Sequence, residues 1–278
     1  MAAATKRARE SAMDARGFFA TLWHDYARLA PQALTIRALF GGQQVINDHV
    51  AFRTFDSSPI ALARLEPVLF ALGYQRHAPY EFPDKHLSAR GYTSADADLP
   101  LVFLSELHVR RLSTPSQLIV ERAIAAIPPR LAIGASTLNA GRLWPAVSRD
   151  DYQRVADESE YAGWLLAHGL HANHFTVAVH RLQPQLSLPA VIARVEAAGY
   201  AINAAGGKIK GSPDELLEQA STLADRISVR FADGALTVPS CYYEFARRYP
   251  DGSGRLYQGF VAASASRIFE STDRPGAS

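Results

Sequence analysis

The stretch INDHVAFRTF, residues 46–55, reads as a β-strand, yet it sets His49 and Arg53 among apolar neighbours. Side chains on a strand alternate between faces, so His49, Ala51, Arg53 and Phe55 share one side. An imidazole and a guanidinium on one face of a buried-looking strand, with only alanine between them, ask for a partner. A second strand of this kind, HANHFTVAVH, spans residues 171–180. Aligning His174 on His49 places Asn173 on Asp48, and each strand then leads to an amphipathic helix ending in Gly-Tyr. His49 and Gly73 are 24 residues apart, and His174 and Gly199 are 25 apart.

The repeat extends to an acid. FLSEL holds Glu106 and YYEF holds Glu244, lying 32 and 44 residues beyond the two Gly-Tyr tyrosines, Tyr74 and Tyr200. The excess of 12 matches GSPDELLEQAST, residues 211–222, which reads as an inserted short helix capped near Ser212. The first helix, SPIALARLEPVLFALGY, has Ser58 as a candidate cap, Gly73 as its stop, and Pro67 as a kink or boundary. RISVRFADGALTVPSCYYEF supplies two strands around an Asp233-Gly234 turn. The expected fold is therefore α+β, with two paired βαβββ modules forming a curved mixed sheet around a cavity. Helical pattern at 1–40 precedes the first module (41–107), and a helical connection (108–168) leads to the second (169–250). A segment 251–278 completes the pocket, and the whole forms one compact structural unit.

Bulk composition narrows the classes of function. Lys and Arg number 29 against 27 Asp and Glu, a net charge of +2, and the basic residues are scattered. The basic patch of a nucleic-acid binder is missing. The single cysteine, Cys241, rules out an internal disulfide and any multi-cysteine zinc site, and suits a reducing cytoplasm. No apolar run is long enough to cross a bilayer. The start, MAAATKRARESAMDARGFFATLW, lacks a continuous apolar stretch of signal-peptide length. A cytoplasmic protein with no membrane or nucleic-acid partner is the expectation.

Two histidines and two glutamates at matching places in paired modules form a candidate constellation: His49, Glu106, His174 and Glu244. Imidazole and carboxylate without thiolate suit zinc, iron, manganese or nickel. Four ligands would make a glyoxalase-like isomerase or lyase site. Two histidines and one glutamate would leave positions open for a 2-oxo acid and dioxygen, as in non-haem Fe(II) oxygenases. Arg53 lies roughly 13 Å along the strand from His49, and its side chain can reach back over Ala51. Its fork suits the far carboxylate of a short diacid, although a structural ion pair explains it equally well. His171 falls on the opposite face from His174, and His180 is six residues away; both read as structural. GGKIKGS, residues 206–212, reads as a solvated turn.

The stretches NDHVAFRTF, YEFPDKHLSARGY, LPLVFLSEL, NHFTV, LLEQASTLAD, PSCYYEFARRY, YQGF and IFESTD, from about residue 40 to 273, resemble the 2-oxoadipate dioxygenase/decarboxylase family of the vicinal oxygen chelate superfamily. The resemblance implies an Fe(II) site of His49, His174 and Glu244, with the two histidines also beside the bound substrate. It implies Arg53 as the catalytic residue gripping the distal carboxylate, and conversion of 2-oxoadipate and O2 to 2-hydroxyglutarate and CO2 in lysine catabolism. It leaves Glu106 behind the ligands or merely structural. Gln219 and Lys210 are further candidates for lining the cavity. The chain lacks a segment that longer members carry before the C-terminal motif. A non-catalytic module that sequesters a small acid is the remaining alternative.

Overall fold

The computed structural model describes residues 14–57 and 59–272. The candidate cap Ser58, the first 13 residues of the basic start and the last residue of IFESTD lie outside them. Helices α1 (Ala15–Leu29) and α2 (Pro31–Leu39) lead to strand β1 (Asn47–Phe55). Asp14 opens α1 by accepting a hydrogen bond from Gly17 N–H at 2.6 Å, which satisfies a donor that the first helical turn leaves free. The first module continues through α3 (Leu62–Ala71), β2 (Tyr74–Phe82), β3 (Leu87–Ser94) and β4 (Leu101–Leu107). Helix α3 runs on through Pro67 rather than stopping at it.

Helices α4 (Thr114–Ala125), α5 (Arg149–Glu158) and α6 (Glu160–His168) connect the modules. The second module is β5 (Ala172–Ala178), α7 (Leu188–Ala197), β6 (Lys210–Ser212), β7 (Leu217–Ser221), β8 (Arg226–Phe231), β9 (Gly234–Pro239) and β10 (Tyr242–Arg248). Helix α8 (Ala262–Phe269) follows.

Eight strands form one mixed sheet, in the order β2-β3-β4-β1-β5-β10-β7-β6, which curls into a half-barrel. The order reads alike from either end. β1 is parallel to β4 as β5 is parallel to β10, and the halves join through the antiparallel pair β1–β5. The expected α+β architecture, paired modules in one curved mixed sheet, is present, and the halves are related by a pseudo-twofold. The matching helix ends have one local cause: Gly73 and Gly199 take φ of +86° and +90°, a backbone conformation that glycine adopts without a Cβ clash.

The spacing argument misplaced the insertion. Residues 211–222 are not a helix but the end of β6, a tight turn and β7, equivalent to β2 and β3. Ser212 Oγ accepts from Glu215 N–H at 3.3 Å, so the residue read as a helix cap closes a turn. Serine and aspartate serve turns and caps through the same side-chain bond, which is why the pattern misleads. The extra length is the β8–β9 hairpin, a separate two-stranded sheet turning at Ala232-Asp233. It packs Val229, Phe231 and Val238 on Tyr152, Ala156 and Ala167 of the connecting helices.

The two faces of the central strands meet different partners. Phe175 of β5 packs its ring 5.2 Å from Trp23 and 5.0 Å from Tyr26 of α1, centroid to centroid. Its complete burial stabilises the helix-on-sheet contact by about 2–3 kcal/mol. The opposite face, carrying His49, His174 and Glu244, lies beneath Phe260 and α8, and there the polar side chains collect.

Candidate metal centre

Strand register assembles the site. Ala51 stands opposite His174, and across the parallel pair His174 stands beside Tyr242 and Thr176 beside Glu244. One row across three strands is His49, Thr176 and Glu244; the next is Ala51, His174 and Tyr242; Arg53 lies one row further. Alternation puts all of them on one face. Ala51 is the small residue that leaves room above the middle row.

Ligand atoms of His49, His174 and Glu244 all lie within 4.8 Å of one another, and all three residues are buried. His49 Nε2 is 3.4 Å from Glu244 Oε1, and His174 Nε2 is 3.2 Å from Glu244 Oε2. Donors about 2.0–2.2 Å from one ion sit about 2.8–3.1 Å apart at octahedral angles and about 3.3–3.6 Å apart at tetrahedral ones. The spacing fits a shared cation, and among the described residues Glu244 Oε2 has no hydrogen-bond partner. Burial raises the Glu244 carboxyl above its usual range, with His49 and Gln219 pulling back. Burial, then His49 and Arg53, hold His174 well below the usual imidazole range, keeping it neutral and able to ligate.

Both imidazoles are aimed by the residue before them. His49 Nδ1 lies 2.7 Å from Asp48 Oδ1, and His174 Nδ1 lies 3.1 Å from Asn173 Oδ1. With Nδ1–H donated, Nε2 is left to face the cavity, the usual arrangement behind ligating histidines. Thr176 Oγ1 sits 3.1 Å from His49 Nε2. Gln219 Nε2 donates to Glu244 Oε1 at 2.6 Å. Arg248 grips both oxygens of Asp48 at 2.8 and 2.9 Å. Burial alone would raise Asp48, but Arg248 and His49 outweigh it and keep the carboxylate ionised. Arg248 also donates to Tyr257 O and Gly259 O, which holds Phe260 edge-on to His49 at 4.9 Å. Phe103, Phe260, Ile268 and Phe269 form the apolar part of the cavity wall.

The other expected residues fall as follows. Glu106 is not a corner of this cluster. It pairs with Thr54, on the face turned away from His49, and its Oε2 accepts from Leu62 N–H at 2.8 Å at the start of α3. The four-ligand arrangement is therefore excluded by strand parity. Gln219 lines the cavity. Lys210 stands opposite Gln219 one strand further out, buried, with Nζ donating to Asn203 O at 2.6 Å and its pKa pushed by burial down to about 8.

Arg53 is buried, with Nη1 2.6 Å from Glu160 Oε1 and Nη2 3.1 Å from Thr272 Oγ1. Burial opposes its charge, and Glu160 more than offsets that. Its guanidinium carbon lies 5.8 Å from the Phe269 ring, which also lines the cavity. His171 and His180 lie apart from the cluster, bonded to Asn139 and the Arg248 amide. Tyr242, Thr176, Glu160 and Arg248 escaped the sequence reading. For Tyr242 the signal was available: it is two residues before Glu244 and so shares its face.

A profile of the 2-oxoadipate dioxygenase/decarboxylase family matches residues 135–253. The chloroplastic 2-oxoadipate dioxygenase/decarboxylase of Arabidopsis thaliana is 34% identical over 255 residues, 83% of this chain and 69% of that protein. A Shewanella frigidimarina protein described as a hydrolase superposes with a TM-score of 0.85 at 41% identity, covering 91% of this chain and 99% of that one. The Oryza sativa hydroxyglutarate synthase, solved with 2-oxoadipate, gives a TM-score of 0.82 at 32% identity, covering 94% and 93%. With this similarity along most of both chains, the protein belongs to the 2-oxoadipate dioxygenase/decarboxylase family.

Proposed function

We propose that the protein is an iron-dependent dioxygenase that converts 2-oxoadipate and O2 to 2-hydroxyglutarate and CO2. The observation that carries this is the convergence of His49, His174 and Glu244, two aimed imidazoles and one carboxylate with a free oxygen. Such a donor set suits a first-row divalent ion and leaves positions open. When bound, the ion supplies dioxygen activation beside a 2-oxo acid. The equation balances with no further reductant: the C1–C2 bond breaks, one oxygen atom enters the new carboxylate, and the other becomes the hydroxyl.

The chain's own residues position and shield. Asp48 and Asn173 hold the imidazoles, and Gln219 holds the carboxylate. Phe103, Phe260, Ile268 and Phe269 exclude water from the reacting carbon. Arg53, one row past His174 on the same face and near the cavity-lining Phe269, is the residue placed to receive the substrate's far end. Iron, the dioxygen co-substrate, an origin of the substrate in lysine breakdown and a reducing compartment such as the cytoplasm belong to the same reading. The buried free thiol of Cys241 supports the last of these. Among the described residues no helix is long and apolar enough to cross a membrane.

The test is stoichiometry. Protein reconstituted anaerobically with Fe(II) is mixed with 2-oxoadipate and air-saturated buffer, and O2 uptake, CO2 release and 2-hydroxyglutarate are measured together. The expected ratio is one to one to one, with no uptake in zinc-loaded protein. Metal binding without O2 uptake would favour an isomerase. Absence of both metal binding and turnover would leave a binding module.

A further inference from the structure

Among the described residues, four buried polar atoms without partners belong to side chains rooted on the cavity face of the sheet: Arg53 Nε, Tyr242 OH, Gln219 Oε1 and Glu244 Oε2; a fifth, Asn173 Nδ2, is rooted on the other face. Folded interiors leave few such atoms, and each one marks a missing partner. Here they sort by kind. The acceptors, Gln219 Oε1 and Glu244 Oε2, belong to the His-His-Glu cluster and its neighbour, where a bound cation would supply the missing partner. The donors, Arg53 Nε–H and Tyr242 O–H, lie on the side of the cluster towards the third row, where only an acceptor can satisfy both.

Tyr242 is held for this. Its ring stacks on His174 at 4.6 Å with 24° between planes, and its backbone oxygen accepts from the Tyr26 hydroxyl. A tyrosine phenol keeps its proton at neutral pH, so its hydroxyl is available as a donor. Arg53 stands one row past Tyr242 on the same face of the sheet. Arg53 gives one N–H of Nη1 to Glu160 and one of Nη2 to Thr272, and Nε is its nitrogen with no partner at all among the described residues. The Tyr242 hydroxyl adds a second unpartnered donor atom, and a carboxylate has two oxygens to receive them.

We propose that the Tyr242 hydroxyl and Arg53 Nε–H together receive the distal carboxylate of the substrate, so that Tyr242 sets the preference for a diacid over a 2-oxo monoacid. This rests on the function proposed above. It makes Tyr242 a binding residue at the end of the substrate away from the metal, although its ring touches a metal-site histidine.

The experiment compares parent and Tyr242→Phe, which keeps the stacked ring and removes only the hydroxyl. Anaerobic calorimetry on Mn(II)-loaded protein measures binding of 2-oxoadipate and of 2-oxohexanoate, which lacks the distal carboxylate. Loss of a hydrogen bond to a charged group is expected to weaken 2-oxoadipate about tenfold or more. Affinity for 2-oxohexanoate stays within about twofold. Because both acids are titrated into one preparation, a folding defect lowers both and cannot mimic the selective loss. Equal losses for the two acids, or no loss for either, overturn the assignment. Failure of the parent to bind either acid sinks the proposed function itself, and is seen before any variant is compared.

Discussion

Phe103 on β4 occupies the position that Glu244 occupies on β10. His49 faces Leu101 and His174 faces Tyr242, and each of these two residues lies two places past the one facing its histidine. The duplicated modules thus bring two imidazoles but only one carboxylate to the cavity, with a phenyl ring in the place of a second.

Restoring symmetry should abolish turnover. Phe103→Glu adds a carboxylate beside the cluster and fills a position that substrate or dioxygen needs. Metal content measured after dialysis should stay at the parent level or rise, while O2 uptake with 2-oxoadipate falls about 100-fold or more. Undiminished uptake would mean that the Phe103 position does not border an open coordination site.

The residues that aim the two histidines differ in charge, and the difference is testable. Asp48→Asn copies Asn173, so His49 keeps an acceptor for Nδ1–H, and metal affinity by chelator competition should change by less than about tenfold. Arg248, however, loses the partner of a buried ion pair. Breaking such a pair costs about 3–5 kcal/mol, to be read as a lower urea midpoint.

Gln219→Leu removes the donor to Glu244 Oε1 while nearly preserving volume. Glu244 already ionises less readily than a free carboxyl because it is buried, and loss of Gln219 raises it further. Metal binding requires the ionised form, so metal is lost as pH falls through the folded pKa. The variant should lose its metal at a higher pH than the parent and bind it about 10–100-fold more weakly. Metal retention against pH, followed by elemental analysis, checks both.

Fold stability should weaken in mild acid through His168. Burial pushes its pKa down to about 4, and its Nε2–H donates to Pro239 O at 2.8 Å. Between the unfolded value near 6.5 and about 4, the unfolded chain binds the extra proton, so stability rises with pH across that window and is lost as pH falls. The full effect is about 3 kcal/mol. Urea midpoints from pH 7 to 4 should drop less steeply in His168→Gln than in the parent.

The sequence by itself determined the two strands, the histidine on each, the helix ends at Gly-Tyr and the doubling of the module. All of these depend on neighbours a few residues apart, where alternation and glycine's conformational freedom act. Spacing left both acids as candidates beside the histidines; the family resemblance pointed to Glu244, and only the tertiary structure gives the physical reason. Counting residues from Gly-Tyr matched Glu106 to Glu244, because the β8–β9 hairpin lengthens one connection and a count cannot see strand register. Inter-strand hydrogen bonds set that register, and an offset of three residues turns Glu106 to the opposite face. The partners of the buried charges were equally out of sequence reach. Arg53 meets Glu160 across 107 residues, when the connecting helix α6 packs on the sheet, and Asp48 meets Arg248 across 200, when the halves of the sheet join.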